Sequence, residues 1–329
     1  MATMQRSDPW SIDVALIGCG DHARLDLLPC LTQIEGVRID AICDTDEKHL
    51  SATSALVRGA LTYQDYRVLL AERESLGAIV VAATPQVHSD IAGLAMARGV
   101  HVFVEKPPAA STPELTRLAG MAAEKNIITK VGHNLRHSAA YLELCNVVDP
   151  GTATIFDVRY ITSGPRGDRW NLNSPIRSFL LSHAIHVVDL VLHALGEPVA
   201  VSANACHFEN GGLLVSGRLS FPNGRLSTIV IGDVGTSFQF DAWAMSSEGL
   251  IVHIDSLRSV WCKGLSIKGR RWSEVWTPRP LEAGHKLAGY AGELEEFFAA
   301  IASGGRSSPS LAEEIATYKV IDEIHAQIQ

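Results

Sequence analysis

The feature that most constrains this chain lies near its start: Val14-Ala15-Leu16-Ile17, then at once Gly18-Cys19-Gly20-Asp21-His22-Ala23. Four apolar residues in a row read as a buried strand. The glycines read as a tight turn, and the polar residues after them open a helix. That order aims a helix N-terminus, with its unpaired N–H groups and partial positive charge, at an anion. Gly18 allows the turn. Gly20 lets the backbone approach a pyrophosphate with no Cβ in the way. Ala23 stands where a small residue keeps helix and strand close.

A second strand, Val37–Cys43, ends at Asp44. This acid falls roughly 20–25 residues past the glycines, where dinucleotide sites grip a ribose diol. Asp44 would accept from both ribose hydroxyls and repel a 2′-phosphate, and Asp46 and Glu47 add negative charge. The expected cofactor is NAD, with NADP possible.

The chain has 329 residues, enough for two domains. It is 47% hydrophobic and 19% charged, which fits a folded enzyme and argues against extended disorder. A net charge of -8 without any basic run argues against a nucleic-acid binder. Residues 1–11 lack the apolar core of a signal peptide, and no apolar stretch reads as long enough to cross a bilayer. Six scattered cysteines without a C-x-x-C read as free thiols in a reducing cytoplasm.

From residue 11 to about 131, strands and helices alternate. Residues 78–83 are wholly apolar, as in a parallel sheet covered on both faces. Helices are expected at 89–98 and after the Ser111-x-x-Glu114 box, and strands at 100–104 and 127–131. Past 134 a short helix (141–148) and a strand (155–161) precede a loop rich in Gly, Pro and Arg. A long apolar helix follows at 179–195, then strands at 199–206, 213–221, 226–231, 238–245 and 250–254. Pro222-Asn223-Gly224 is a hairpin signal, and Ser310 with Glu313 caps a last helix. The pattern predicts an α/β protein. Residues 1–133 form a doubly wound, Rossmann-type parallel sheet. Residues 134–329 form an α+β domain with a mostly antiparallel open sheet, helices on one face.

Glu105-Lys106-Pro107 follows a strand end, on the side of a parallel sheet where sites form. A lysine there can donate to a substrate oxygen. Thr84, Pro85 and His88 follow the preceding apolar strand in the same way. On the long helix His183 and His186 share a face, and histidine can give or take a proton at neutral pH. His183 to Asp189 sweeps about 120° around a helix, which splays the side chains, so no metal is expected. Residues 164–170, with Arg166, Asp168, Arg169 and Trp170, are expected to form a loop that reads substrate.

Together G-C-G-D-H-A, C-D closing the second strand, A-T-P-Q-V-H, E-K-P, G-H-N-L-R and H-x-x-D resemble the glucose–fructose oxidoreductase, inositol dehydrogenase and rhizopine-catabolism (Gfo/Idh/MocA) family. The match runs in order along nearly the whole chain. The resemblance implies an NAD(P)-dependent dehydrogenase or reductase acting on a small molecule. It implies hydride transfer between nicotinamide and a C–O carbon of a sugar, cyclitol or related polar metabolite, in a homodimer or homotetramer built through the open sheet face. It implies cofactor contacts from Gly18, Gly20, Asp21, His22, Ala23, Asp44, Ala83, Thr84, Pro85, His88, Glu105, Lys106 and Asn134. Lys106 and His186 would flank the reacting carbon, with His183 assisting. Asp168, Arg169, Trp170 and Ser182 would meet the substrate. In such proteins the Lys-Pro peptide is often cis. The family's dehydrogenases often carry Asp four residues before the catalytic histidine, with Gly between; here Ser182 and Ala184 stand there. That departure admits a second reading, an imine or ketone reductase of specialised biosynthesis. A non-catalytic NAD-sensing regulator is the third.

Overall fold

The computed structural model describes residues 10–265, 271–279 and 284–329. The reading of no signal peptide rested mostly on residues 1–9, which lie outside these. The described chain divides into two compact units. One takes the chain up to Ala109, Pro113–Gly132 and Glu293–Ala312; the other takes Ala110–Thr112, His133–Gly292 and Glu313–Gln329.

The first unit holds six parallel strands: β1 (Ile12–Ile17), β2 (Val37–Cys43), β3 (Leu61–Tyr63), β4 (Ala78–Val81), β5 (His101–Glu105) and β6 (Thr129–Gly132). Their order is β3-β2-β1-β4-β5-β6. The order reverses between β1 and β4, the switch point where doubly wound sheets open a crevice for ligand. The apolar runs predicted as strands are the buried centre, and β4 is buried along its whole length. The segment Glu293–Ala312 returns to this sheet. Lys130 of β6 is wholly buried, ion-pairs with Glu296 and donates to the carbonyl of Ser308. The Val131 N–H donates to Pro309 O at 2.8 Å, and Phe103 meets Phe297 edge-on.

The second unit is one eight-stranded sheet: β7 (Ala153–Ile161), β8 (Ala200–His207), β9 (Leu213–Ser220), β10 (Leu226–Gly232), β11 (Gln239–Ser246), β12 (Ile251–Asp255), β13 (Ser259–Leu265) and β14 (Arg271–Trp276). The order is β14-β13-β12-β11-β7-β10-β9-β8, and only the β7–β10 pair is parallel. β13 and β14 lie beyond the strands expected from sequence. Alternation along β9 and β11 buries one side chain and exposes the next, so one face is packed and the other open. Asn223 and Gly224 both take positive φ between β9 and β10, the conformation the hairpin signal required.

Two sequence expectations for the long helix are corrected. It begins at Pro175, with Ser174 as N-cap accepting from the Arg177 N–H, and it widens to a π turn over Leu180–Ala184. The Ser182 hydroxyl donates to Ser178 O at 2.7 Å, the carbonyl an α-turn would give to the 182 amide. Pro175–Leu195 therefore spans 21 residues with mean hydropathy 1.5, long and apolar enough by composition to cross a membrane, where the sequence reading found no such stretch. Of its apolar window 89% is buried inside the protein, and its Ile185–Leu195 part packs on β7. Burial under a sheet explains the hydropathy. All six cysteines are free; Cys19, Cys30, Cys43 and Cys262 are buried and Cys206 is exposed.

Candidate functional site

The glycine turn sits between the ends of β2 and β4. The Gly18 N–H donates to Cys43 O, and the Ala82 N–H donates to Ile17 O, each at 2.8 Å. Gly18 has φ +94°, and a Cβ there would come within 2.3 Å of Ala82 O. Both the left-handed backbone and the close approach demand glycine. At Gly20 the reason differs. An added Cβ would meet no protein atom within 4 Å, so packing does not ask for glycine. The space it would fill lies at a helix start, as a pyrophosphate requires. Ala23 is buried.

Asp44 follows β2 directly. Its Oδ2 accepts the Cys19 N–H at 2.6 Å and its Oδ1 accepts the Asp46 N–H at 2.8 Å. The carboxylate is thus fixed beside the turn, and each oxygen keeps a lone pair for a hydroxyl. These residues fit a dinucleotide: an open cradle at Gly20 and an oriented acid at the neighbouring strand end. Asp21 is exposed and pairs with Arg24.

Ala83, Thr84 and Pro85 lead from β4 into the helix Pro85–Ala97, with Thr84 as N-cap and Pro85 in the first turn. His88, one turn on, is buried. Its Nε2 accepts the Ala83 N–H at 3.0 Å and its Nδ1 donates to Pro107 O at 2.9 Å. Burial pushes its basicity down, so the ring is neutral and ties the end of β4 to the loop after β5. That loop carries Glu105 and half-buried Lys106, and the Lys106–Pro107 peptide is cis.

In the second unit His183 and His186 both face Tyr160 of β7, with ring centroids 6.3 and 6.0 Å away. Burial lifts the Tyr160 hydroxyl to about 12, so it remains a donor. Sequence reasoning missed this tyrosine. The signal was available: Phe156, Val158 and Tyr160 alternate along one face of β7. His193 accepts from or donates to the Tyr141 hydroxyl at 2.7 Å.

His186 also meets the edge of His133, at 6.0 Å. His133 lies in a buried network that no short motif disclosed. Its Nε2 is 3.0 Å from Glu314 Oε2 and its Nδ1 is 3.5 Å from Asp189 Oδ2. Arg136 forks onto Asp189 at 2.8 and 2.6 Å. Burial works against a charge on His133, but the two carboxylates outweigh it and raise its basicity. Burial tends to raise Asp189, and Arg136 and His133 pull it below the ordinary range. His133, Asp189 and Glu314 lie close enough to hold a cation. Arg136 and the proton across the His133–Glu314 contact already balance the two carboxylates. A divalent ion would have to displace a buried guanidinium, so the cluster reads as an ion network.

The remaining expected contacts are partly taken up by the fold. Asp168 accepts from the amides of Leu172 and Asn173 and from the Ser178 hydroxyl, which holds a loop where Trp170, Asn171 and Asn173 all take positive φ. The Arg169 guanidinium lies over the Trp170 ring at 4.6 Å. Arg166 donates to Asp233 O. The Asn134 amide donates to Ala288 O at 2.8 Å.

Residues 12–133 match the Gfo/Idh/MocA family model, described as an oxidoreductase family with an NAD-binding Rossmann fold. A dehydrogenase crystal structure from Chromobacterium violaceum is 31% identical and covers 97% of this chain and 96% of its own, with a TM-score of 0.91. The chain belongs to the Gfo/Idh/MocA oxidoreductase family. As a family member it is an NAD(P)-dependent oxidoreductase. Among its relatives, 4-carboxy-2-hydroxymuconate-6-semialdehyde dehydrogenase of Sphingobium sp. is 24% identical over 332 residues, 96% of this chain and 98% of that protein. Inositol 2-dehydrogenase 2 of Saccharopolyspora erythraea is 27% identical over 198 residues, 58% of this chain and 56% of that protein.

Proposed function

We propose that this Gfo/Idh/MocA protein is an NAD-linked dehydrogenase of a sugar, cyclitol or related polar metabolite. When bound, the nicotinamide supplies hydride exchange with a carbon bearing oxygen. Gly18, Gly20 and Ala23 hold the pyrophosphate, and Asp44 takes the ribose diol. Lys106 donates to the substrate oxygen and stabilises negative charge on it. His186 takes or returns the hydroxyl proton, with His183 and the Tyr160 hydroxyl beside it. Asp168 holds its loop in the shape that offers Arg169 and Trp170 to substrate, and Ser182 adds a hydroxyl near His183.

The observation that carries this reading is the oriented Asp44 carboxylate next to an open glycine cradle, in the same unit as Lys106. Asp44 is only 14% exposed at its side chain and already accepts two amides, a setting that favours NAD over the 2′-phosphate of NADP. The names of the relatives support both a ring alcohol and an aldehyde or its hydrate as substrate. The test is a panel of cyclitols, aldoses and semialdehydes with NAD and NADP, read by nicotinamide absorbance, together with ketones and imines offered with NADH. Oxidation of at least one polyol or aldehyde with NAD is expected. Turnover confined to C=N substrates would replace this reading by the reductase. The Ser182 observation is what favours that second reading, because its hydroxyl is bonded back to helix carbonyls at the position where a carboxylate is common.

The open face of the second sheet supports a homodimer or homotetramer. Register places Trp243, His253, Trp261 and Val275 in one row across β11 to β14, and all but His253 are exposed. Wild type is expected to sediment as an oligomer and Trp243→Asp/Trp261→Asp as a monomer; a monomeric wild type defeats the assignment. A cytoplasmic location is proposed from the free thiols, exposed Cys206 among them.

A further inference from the structure

A charge pair joins the glycine turn to the end of β5, and the chemistry above makes no use of it. His22 opens the helix after Gly20. Its Nε2 stands 3.1 Å from Glu105 Oε1 and its Nδ1 2.9 Å from Asp26 Oδ2. Glu105 is buried, with 8% of its side chain exposed. Its carboxylate lies against Gly132 of β6, where a Cβ would come within 2.8 Å of Oε1. Glycine at 132 therefore makes the room. The Glu105 Oε2 accepts the backbone N–H of Lys106 at 3.2 Å.

Each of these facts has a cost that only the others explain. A buried carboxylate needs a nearby cation and hydrogen bonds. A cation at a helix N-terminus opposes the helix dipole. The positive charge of His22 is therefore retained for its two carboxylate partners, and one of them abuts the lysine peptide. The groups facing His22 include Glu105 from β5 and Asp26 from its own helix; Lys106 and neutral His88 face Glu105. We propose that His22 is a positioning residue for Lys106: its imidazolium holds the Glu105 carboxylate over Gly132, and that carboxylate holds the Lys106 peptide. This rests on the reading that Lys106 meets the substrate.

Burial pulls the basicity of His22 down, but the Glu105 charge and the hydrogen bonds to Glu105 and Asp26 raise it to about 9. Burial alone would raise Glu105, yet the charge of His22 holds it low. The folded-state value of His22 is the raised one. The contribution of His22 is then complete below the ordinary histidine value of about 6.5 and is lost as pH climbs through about 9.

The test is histidine-ring NMR on the cofactor-free protein, with His22 assigned by the signal that His22→Gln removes. A midpoint near 9 is expected, falling to the ordinary value of about 6.5 or below in Glu105→Gln. In protein with ¹³C-dimethylated lysines, the Lys106 signal, assigned by Lys106→Met, is expected to shift as His22 titrates. That inflection should vanish in His22→Gln, and His22→Lys should hold the signal at its wild-type low-pH position. An ordinary midpoint, or one that Glu105→Gln leaves unmoved, overturns the pairing. A Lys106 signal indifferent to His22 overturns the positioning role. Wild-type turnover in Lys106→Met would overturn the functional reading while leaving the His22 midpoint in place, so the two failures are distinguishable.

Discussion

Lys106→Met is expected to lower turnover by about 10²–10⁴-fold while NADH binds within about threefold of wild type. The two effects separate because two sets of groups carry them. On the proposed reading, binding rests on the turn at Gly18 and Gly20 and on Asp44, all of which the substitution leaves in place. Methionine keeps most of the aliphatic stem and removes the ammonium, the group proposed to lower the energy of a developing alkoxide. Lys106 sits directly after β5, at the strand ends that also present the glycine turn, and its loop is braced by the His88–Pro107 hydrogen bond. The measurement is steady-state turnover on whichever substrate the panel yields, beside a fluorescence titration with NADH. Turnover at the wild-type rate with intact binding would remove the lysine from the chemistry.

Asp189→Ala is expected to destabilise the protein by about 3–5 kcal/mol, read as a fall in the denaturant midpoint. Asp189 is 1% exposed and is forked by Arg136, which is itself mostly buried. Alanine strands that guanidinium, and also removes one of the two carboxylates that keep His133 charged. The destabilisation comes from the orphaned charge rather than from a lost attraction. The double variant Arg136→Met/Asp189→Leu should accordingly recover most of the loss, because both charges leave together. Equal damage in the single and double variants would contradict this account. Since His133 is raised and Asp189 lowered, stability should fall at both ends of the pH range. Asp189 loses its contribution as pH drops below about 4, and His133 loses its own as pH rises past about 6.5 and through its raised folded value.

What the sequence disclosed follows the range of the interactions. Gly18, Gly20, Ala23 and Asp44 were legible because a strand, a turn and the next strand end act over a few tens of residues, and apolar runs such as 78–81 have one use in a parallel sheet. The antiparallel sheet was legible up to β12. β13 and β14 were not: in Ser259–Leu265 the apolar residues Val260, Trp261 and Cys262 run consecutively and Gly264 follows, so the alternation is weak. Helix Pro175–Leu195 was placed four residues late, although Ser174-Pro175 is an N-cap followed by a permitted proline. Its π turn depends on where the Ser182 hydroxyl points, which no periodicity encodes. The ion network was invisible for a different reason. His133 and Glu314 are 181 positions apart, and only the fold makes them neighbours. His22 and Glu105 each stood in a recognised motif, yet nothing in either motif announced the other.

The course of the backbone has a consequence for biosynthesis. Lys130 must find Glu296 and Ser308, and Glu296 follows it by 166 residues. At about 5–20 residues per second, a ribosome needs roughly 8–30 s to cover that distance. During this interval the nascent nucleotide-binding layer carries an unneutralised ammonium at what will become its interior. The earliest-translated layer thus stays incomplete until nearly the whole chain has been made.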